Sequence, residues 1–150
     1  MRFIMIDKIT DWNKGESIKG KKVVSLSEDF FEDHFVNDPV MPGVLIIESL
    51  AQLSAVLIED HYQTSYKEGI SAIMSIVEGI KFRSFARPGD CLLLESELIS
   101  CGKDLAKASC KAFVDTKTIV NGTIAFALLH ESQSEHKKRR EKYMKIWLEA

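Results

Sequence analysis

The sequence predicts an α+β domain in which an antiparallel sheet wraps around one long, buried helix. Two observations carry that expectation. Residues 44–60 form a helix-compatible run that is apolar almost all the way round, broken before its acidic end at Glu59 and Asp60 only by Glu48, Ser49, Gln52 and Ser54. A helix of that kind does not lie on a surface; something encloses it. The second half of the chain supplies the enclosure. Residues 70–81, 91–100, 106–114 and 118–129 alternate in polarity or are rich in β-branched side chains, with turn signals at 88–90, 101–104 and 115–117. One buried helix followed by sequential strands is the order of an α+β layout.

From the start, residues 2–9 read as a first strand, 12–22 as turn residues around Gly15 and Gly20, and 23–26 as a short second strand. Asn37, Asp38, Pro39 and Pro42 then forbid regular structure. Pro42 and Gly43 fit a helix start, since proline is tolerated in the first turn and glycine lets the backbone turn in. After the strands, the composition changes. Residues 131–150 carry Lys137, Lys138, Arg139 and Arg140 in a row, then Tyr143, Ile146 and Trp147 at helical spacing. The chain therefore divides into a domain over 1–130 and an appended amphipathic basic helix over 131–150.

The chain has 150 residues, 45% hydrophobic and 28% charged, the size and composition of one ordinary globular domain. A formal net charge of -2 gives no overall field that favours nucleic acid or an anionic membrane. Cys91, Cys101 and Cys110 cannot all pair within one chain and lack CxxC spacing, so they read as reduced, buried thiols. No metal site is suggested. The first residues lack the long apolar region and cleavage site of a signal peptide. The nearest approach to a membrane span, 44–58, is too short and contains Glu48 and Gln52. These features read as a soluble, cytoplasmic protein.

Glu48 is the first candidate for chemistry. A carboxylate on an otherwise apolar helix must reach water or find partners, because a dry, unpaired charge costs several kcal/mol. Gln52 stands one turn on, where its amide can orient the carboxyl group. Alone, Glu48 is equally well a structural carboxylate satisfied by backbone groups. His34 shifts the balance: it lies in the irregular segment before the helix, flanked by Phe31 and Phe35. Imidazole is suited to proton transfer near neutral pH. The amides at Gly43 and Val44 have no partner in the helix and sit at its positive end, where they can meet charge developing on a carbonyl oxygen. An acid/base histidine, a buried carboxyl group and an oxyanion site together suggest proton abstraction beside a carbonyl.

The run from His34-Phe35-Val36-Asn37-Asp38-Pro39-Val40-Met41-Pro42-Gly43 to Glu48, continuing through Ala51-Gln52, resembles the signature of the FabZ-type 3-hydroxyacyl-acyl-carrier-protein dehydratases. Lys81-Phe82-Arg83-Ser84-Phe85-Ala86-Arg87-Pro88-Gly89-Asp90 resembles a second segment of that family. The resemblance runs from about Phe3 to Leu129. It implies the hot-dog fold and dehydration of a (3R)-3-hydroxyacyl thioester to the trans-2-enoyl product, in fatty-acid or related lipid synthesis. It further implies that His34 removes the C2 proton, that Glu48 from a partner subunit protonates the leaving hydroxyl or positions water, and that the Gly43 amide polarises the thioester carbonyl. The Val40 carbonyl would hold the second imidazole nitrogen, and Gln52 would orient Glu48. It also implies a homodimer, commonly assembled as a trimer of dimers, acyl carrier protein as partner, and no cofactor beyond the substrate's pantetheine arm. Glutamate rather than aspartate at position 48 resembles the branch that dehydrates without isomerising. Val36 departs from the family, which usually has proline there.

By the same resemblance, Lys81, Arg83 and Arg87 form a basic rim for the acidic carrier and its phosphate, and Phe82 and Phe85, with Ile80 and Met74, line an acyl tunnel. Each also has an ordinary reading, as a solvated strand-edge charge or as core. Two other functions remain open at this level: a hot-dog acyl-thioester hydrolase, and a non-catalytic subunit of a hetero-oligomeric dehydratase.

Overall fold

A computed structural model of the chain describes residues 3–130 and 135–149. The elements run β1 (Lys8–Asn13), β2 (Ser17–Val23), a single 3-10 turn (Asp29–Glu32), α1 (Gly43–Tyr66), β3 (Ile70–Phe82), β4 (Cys91–Cys101), β5 (Leu105–Val114), β6 (Lys117–His130) and α2 (Glu135–Glu149). The strands form one six-stranded sheet in the order β1-β2-β4-β5-β6-β3, with every neighbouring pair antiparallel. Register shifts interrupt four of the five pairings, all except β2 with β4. Such bulges sharpen twist and bend, and the sheet curls round α1. The helix packs against β2, β3, β4 and β5, and Leu50, Leu53, Leu57 and Ile58 are fully enclosed.

The four later strands and the central helix stand where the sequence places them, to within a residue or so at each strand end. The first part of the chain does not. Residues 3–7 are not a strand: Met5 and Ile6 are buried, and the Met5 amide donates to the Gln52 side chain (2.9 Å) rather than to a neighbouring strand. Residues 12–22 are mostly strand instead of turn. Trp12 and Asn13 finish β1, and β2 is disguised by its lysines, because Ile18, Gly20 and Lys22 face inward while Lys19 and Lys21 face out. Lys22 is tolerated inside by Glu28, whose Oε1 lies 2.5 Å from its Nζ. Gly20 is required by close approach, since a Cβ there would stand 2.9 Å from the Lys8 carbonyl oxygen and 3.1 Å from Leu53. Of the strand expected at 23–26, only Val23 belongs to β2.

The helix also runs six residues past its expected end at Asp60. Its inward stripe continues at Ile58 and Tyr62, and the Tyr62 hydroxyl donates to the Lys103 carbonyl (3.3 Å). Lys67, in the left-handed conformation, closes it. At the C-terminal end, α2 occupies most of the helix expected over 131–150; residues 131–134 and 150 lie outside the described residues. Trp147 is buried in the common core and its Nε1–H donates to the Ile6 carbonyl (3.0 Å), so α2 packs on the body of the protein. All three cysteines are free, but only Cys110 is buried; Cys91 and Cys101 are half-exposed. No helix among the described residues is long and apolar enough to cross a membrane.

Leu53 touches both the helix interior and the β2 approach at Gly20. Leu53→Ala should therefore lower unfolding free energy by about 2–5 kcal/mol in denaturant titration, the range for buried leucine deletion. A change under about 0.5 kcal/mol, typical of surface sites, would contradict this account of the core.

Candidate functional site

The loop before α1 is held by backbone bonds. The His34 carbonyl accepts from the Val40 amide (2.9 Å), Phe35 and Asp38 exchange two bonds (3.2 and 3.1 Å), and the Met41 amide reaches the Ala86 carbonyl (2.8 Å). Val36 and Asn37 stand exposed between the Phe35 and Asp38 anchors. The turn is thus closed by its own hydrogen bonds without the proline usual at position 36. His34 is half-buried, with Phe35 stacked on its ring at 4.2 Å, and the peptide joining the two is cis.

The imidazole has a defined orientation. Nδ1 lies 2.7 Å from the Val40 carbonyl oxygen. A carbonyl only accepts, so Nδ1 carries the proton, and the neutral ring leaves Nε2 with the lone pair of a base. Val40 is itself buried, which fixes the acceptor.

Helix α1 begins beside this loop. Its first intrahelical bonds run from Leu45 and Ile46 to the Pro42 carbonyl, leaving the Gly43 and Val44 amides ahead of the ladder. A Cβ at Gly43 would lie 2.5 Å from the Phe82 ring, so a side chain there would displace that ring. Phe82 thus packs over the helix start. Glu48 follows five residues on, about 140° round the helix from Gly43. It is half-buried, and Gln52 Nε2–H donates to its Oε1 (2.9 Å). Gln52 is fully engaged: Nε2 also donates to the Phe3 carbonyl (3.0 Å), and Oε1 accepts from Met5. The N-terminal segment therefore fixes the amide that fixes the carboxyl group.

None of the hydrogen bonds described for His34 or Glu48 joins the two to each other. Glu48 faces a cleft of about 390 Å³ bounded by Gln52, Ala51, Ile73 and Met74, among others, and His34 is not on its wall. Of the expected tunnel residues, only Met74 lines this cleft; Phe82 packs on Gly43, Ile80 is half-buried against the core and Phe85 is exposed. The basic rim is exposed but partly committed. Arg87 pairs with Asp38, which pushes its guanidinium pKa up, and sits over the Phe85 ring. It thereby ties the His34 loop to the second segment. Arg83 Nε–H donates to Asn121 (2.7 Å), and Lys81 is exposed at the end of β3. Among the described residues, no cluster of three or more His, Cys, Asp or Glu could hold a metal ion.

Comparison with known proteins now bears on these residues. The FabA-like domain family matches residues 1–123, which include His34, Gly43 and Glu48. The chain belongs to the FabA-like family. It is 36% identical over 129 residues to the 3-hydroxyacyl-[acyl-carrier-protein] dehydratase FabZ of Lawsonia intracellularis, covering 86% of this chain and 84% of that one. With the FabZ dehydratase of Lactobacillus helveticus it shares 39% over 123 residues, covering 82% and 81%. The hot-dog fold is shared with more distant structures. The dehydratase heterocomplex ApeI:P from Xenorhabdus doucetiae aligns with a TM-score of 0.68 at 13% identity, over 92% of this chain and 90% of that one. A hypothetical thioesterase with coenzyme A from Streptococcus pneumoniae aligns at 0.65 and 9%, over 84% and 88%.

Sequence reasoning missed the far wall of the Glu48 cleft. Ala51 and Ala55 share the helix face of Glu48 and Gln52, at offsets of three, four and seven residues, and that stripe of small side chains was the available signal. The aromatics opposite, Phe126, Tyr143 and Trp147, come from distant parts of the chain. Gln52→Leu would strip partners from Glu48, Met5 and Phe3 at once. Expected are faster hydrogen exchange at the Met5 amide and a stability loss of about 1–3 kcal/mol. Unchanged exchange at Met5 would show that the N-terminal segment is held by something else.

Proposed function

We propose that two copies of this chain assemble a site that removes water from a (3R)-3-hydroxyacyl thioester on acyl carrier protein, with His34 of one copy and Glu48 of the other as base and acid. The orientation of His34 supports this most directly: its Nδ1 is bound to the Val40 carbonyl, so Nε2 is free to take a proton. In the reaction, Nε2 takes the C2 proton while charge gathers on the thioester oxygen, opposite the Gly43 amide and the positive end of α1. The C3–O bond then breaks as Glu48 gives its proton to the departing hydroxyl, which leaves as water. The trans-2-enoyl thioester remains, and proton return from His34 to Glu48 resets the pair. Gln52 keeps the carboxyl group aimed throughout.

A site shared by two copies is supported by the absence of His34 from the Glu48 cleft and by the sheet edge. Strand β3 ends the sheet with Ile73, Ile76 and Val77 exposed, an apolar edge suited to pairing with a second β3. A symmetric dimer gives two equivalent sites, and three such dimers form the larger assembly that family membership suggests. The reading needs no cofactor beyond the pantetheine arm, and places the reaction in the cytoplasm within fatty-acid or related lipid synthesis. Lys81 and Arg83 at the end of β3 and just beyond it fit the acidic carrier.

His34→Ala should lower turnover with 3-hydroxyacyl carrier-protein substrates by roughly two to four orders of magnitude without loss of fold. Glu48→Gln, which cannot ionise, should be comparably impaired. Co-expressing the two variants tests the shared site. Random pairing leaves about one site in four intact, so activity should recover to about a quarter of the parent. Failure to recover in a confirmed mixed dimer would place both groups in one chain's site, and release of free thiol instead of enoyl product would make the protein a hydrolase.

For the carrier, Lys81→Glu with Arg83→Glu should raise KM and flatten its salt dependence, measured at low and moderate salt. Equal KM values for variant and parent at both salts would remove these residues from docking.

A further inference from the structure

Helix α2 begins beyond residue 123, where the family match ends, yet Arg140, Tyr143 and Trp147 on it border the same cleft as Glu48. The helix is fixed there by contacts at both ends of this stretch. Trp147 is buried and bonded to the Ile6 carbonyl at 3.0 Å. Arg140 Nη1 lies 3.0 Å from Glu59 Oε2, an electrostatic pairing without hydrogen-bond alignment, and Glu59 Oε1 accepts from the Ala72 amide on β3 (3.0 Å). Between these anchors, the half-buried Tyr143 ring stacks on Trp147 at 5.8 Å.

We propose that α2 is the selectivity wall of the dehydratase site: the hydrocarbon tail of the acyl thioester lies in the cleft between α1, β3 and α2, and Tyr143 and Trp147 limit the length and girth it can have. This rests on the dehydration reading above. The cleft has the polarity such a substrate needs. Its carboxyl group, Glu48, marks the reacting end, while Ala51, Ala55, Ile73, Met74 and Phe126 offer only apolar surface beyond it. Arg140 adds no anion site, because its charge is already faced by Glu59. The volume, about 390 Å³, lies toward the small end of the roughly 300–1,000 Å³ typical of ligand sites. A bulky residue on its wall therefore decides what fits.

The test uses the full chain with 3-hydroxybutyryl, 3-hydroxydecanoyl and 3-hydroxypalmitoyl carrier protein. Tyr143→Ala should raise kcat/KM for the longest substrate relative to the shortest by about tenfold or more, as removal of bulk from an apolar pocket does. Tyr143→Leu, which keeps a hydrocarbon on the helix face, is measured alongside in case alanine loosens α2. A second readout does not depend on turnover. In a Trp12→Phe background Trp147 is the only tryptophan, and its emission is followed while S-alkyl pantetheine thioethers of increasing length are added. A shift that grows with alkyl length supports the tail site. If the parent dehydrates its substrates but both Tyr143 variants keep the parental length profile within about twofold, below the roughly tenfold effect of one methylene, the proposal is wrong. If the parent dehydrates nothing, the dehydratase reading falls by itself. The thioether titration then decides the tail site, and emission unmoved at every length overturns it.

Discussion

The enclosure of α1 is the constraint on which the rest of the structure depends. A helix with apolar side chains on nearly every face cannot be buried by one flat layer, so the sheet must curl, and the bulges in its pairings let it do so. Burial then demands that every polar group on the helix be answered. Ser49 turns back to the Leu45 carbonyl (2.9 Å). Ser54 bonds the Leu50 carbonyl and shares a buried cluster with Ser96 and Cys110, where burial pushes the Cys110 thiol pKa up. Gln52 is saturated by the N-terminal segment and by Glu48. Glu48 alone is left with an oxygen toward a cleft. The carboxyl group with spare capacity is the one that faces open space, which is the arrangement chemistry needs.

The same enclosure explains what could be read in the sequence and what could not. The central helix and the four strands after it were legible because their patterns are local: an all-round apolar run, then alternation between turn signals. The loop and helix start were legible too, since His34, Pro42, Gly43 and Glu48 are close in sequence and the motif is long. The first two strands were not. In β2 three lysines stand beside only two apolar residues, Ile18 and Val23, and the inward Lys22 depends on Glu28, a partner that no periodicity reveals. Residues 3–7 look like a strand, but the Met5 amide meets a glutamine on the helix, a long-range bond. The pairing of Arg87 with Asp38, which ties it to the His34 loop, was not legible either, because the two lie far apart in sequence. The cleft was the least legible part, because its walls join residues from the two ends of the chain.

The wrapped-helix architecture does not choose a reaction. At 9% and 13% identity it is shared with a thioesterase and with a dehydratase complex, so the distinction lies in individual groups. A helix N-terminus facing a thioester carbonyl serves both chemistries: hydrolysis and proton abstraction each place negative charge on that oxygen. Gly43 therefore discriminates little. What separates the reactions is the second site of charge. Hydrolysis needs a water delivered to the carbonyl carbon, whereas dehydration needs a base at C2 and an acid at C3. On the proposed reading His34 is that base, and its Nδ1, committed to Val40, cannot also hold a water. On the same reading, Glu48, steered by Gln52 and facing a cleft that His34 does not line, would supply the separate acid from a second copy. On this reasoning the specificity of the reaction resides less in either residue than in presenting the two to adjacent carbons of one substrate.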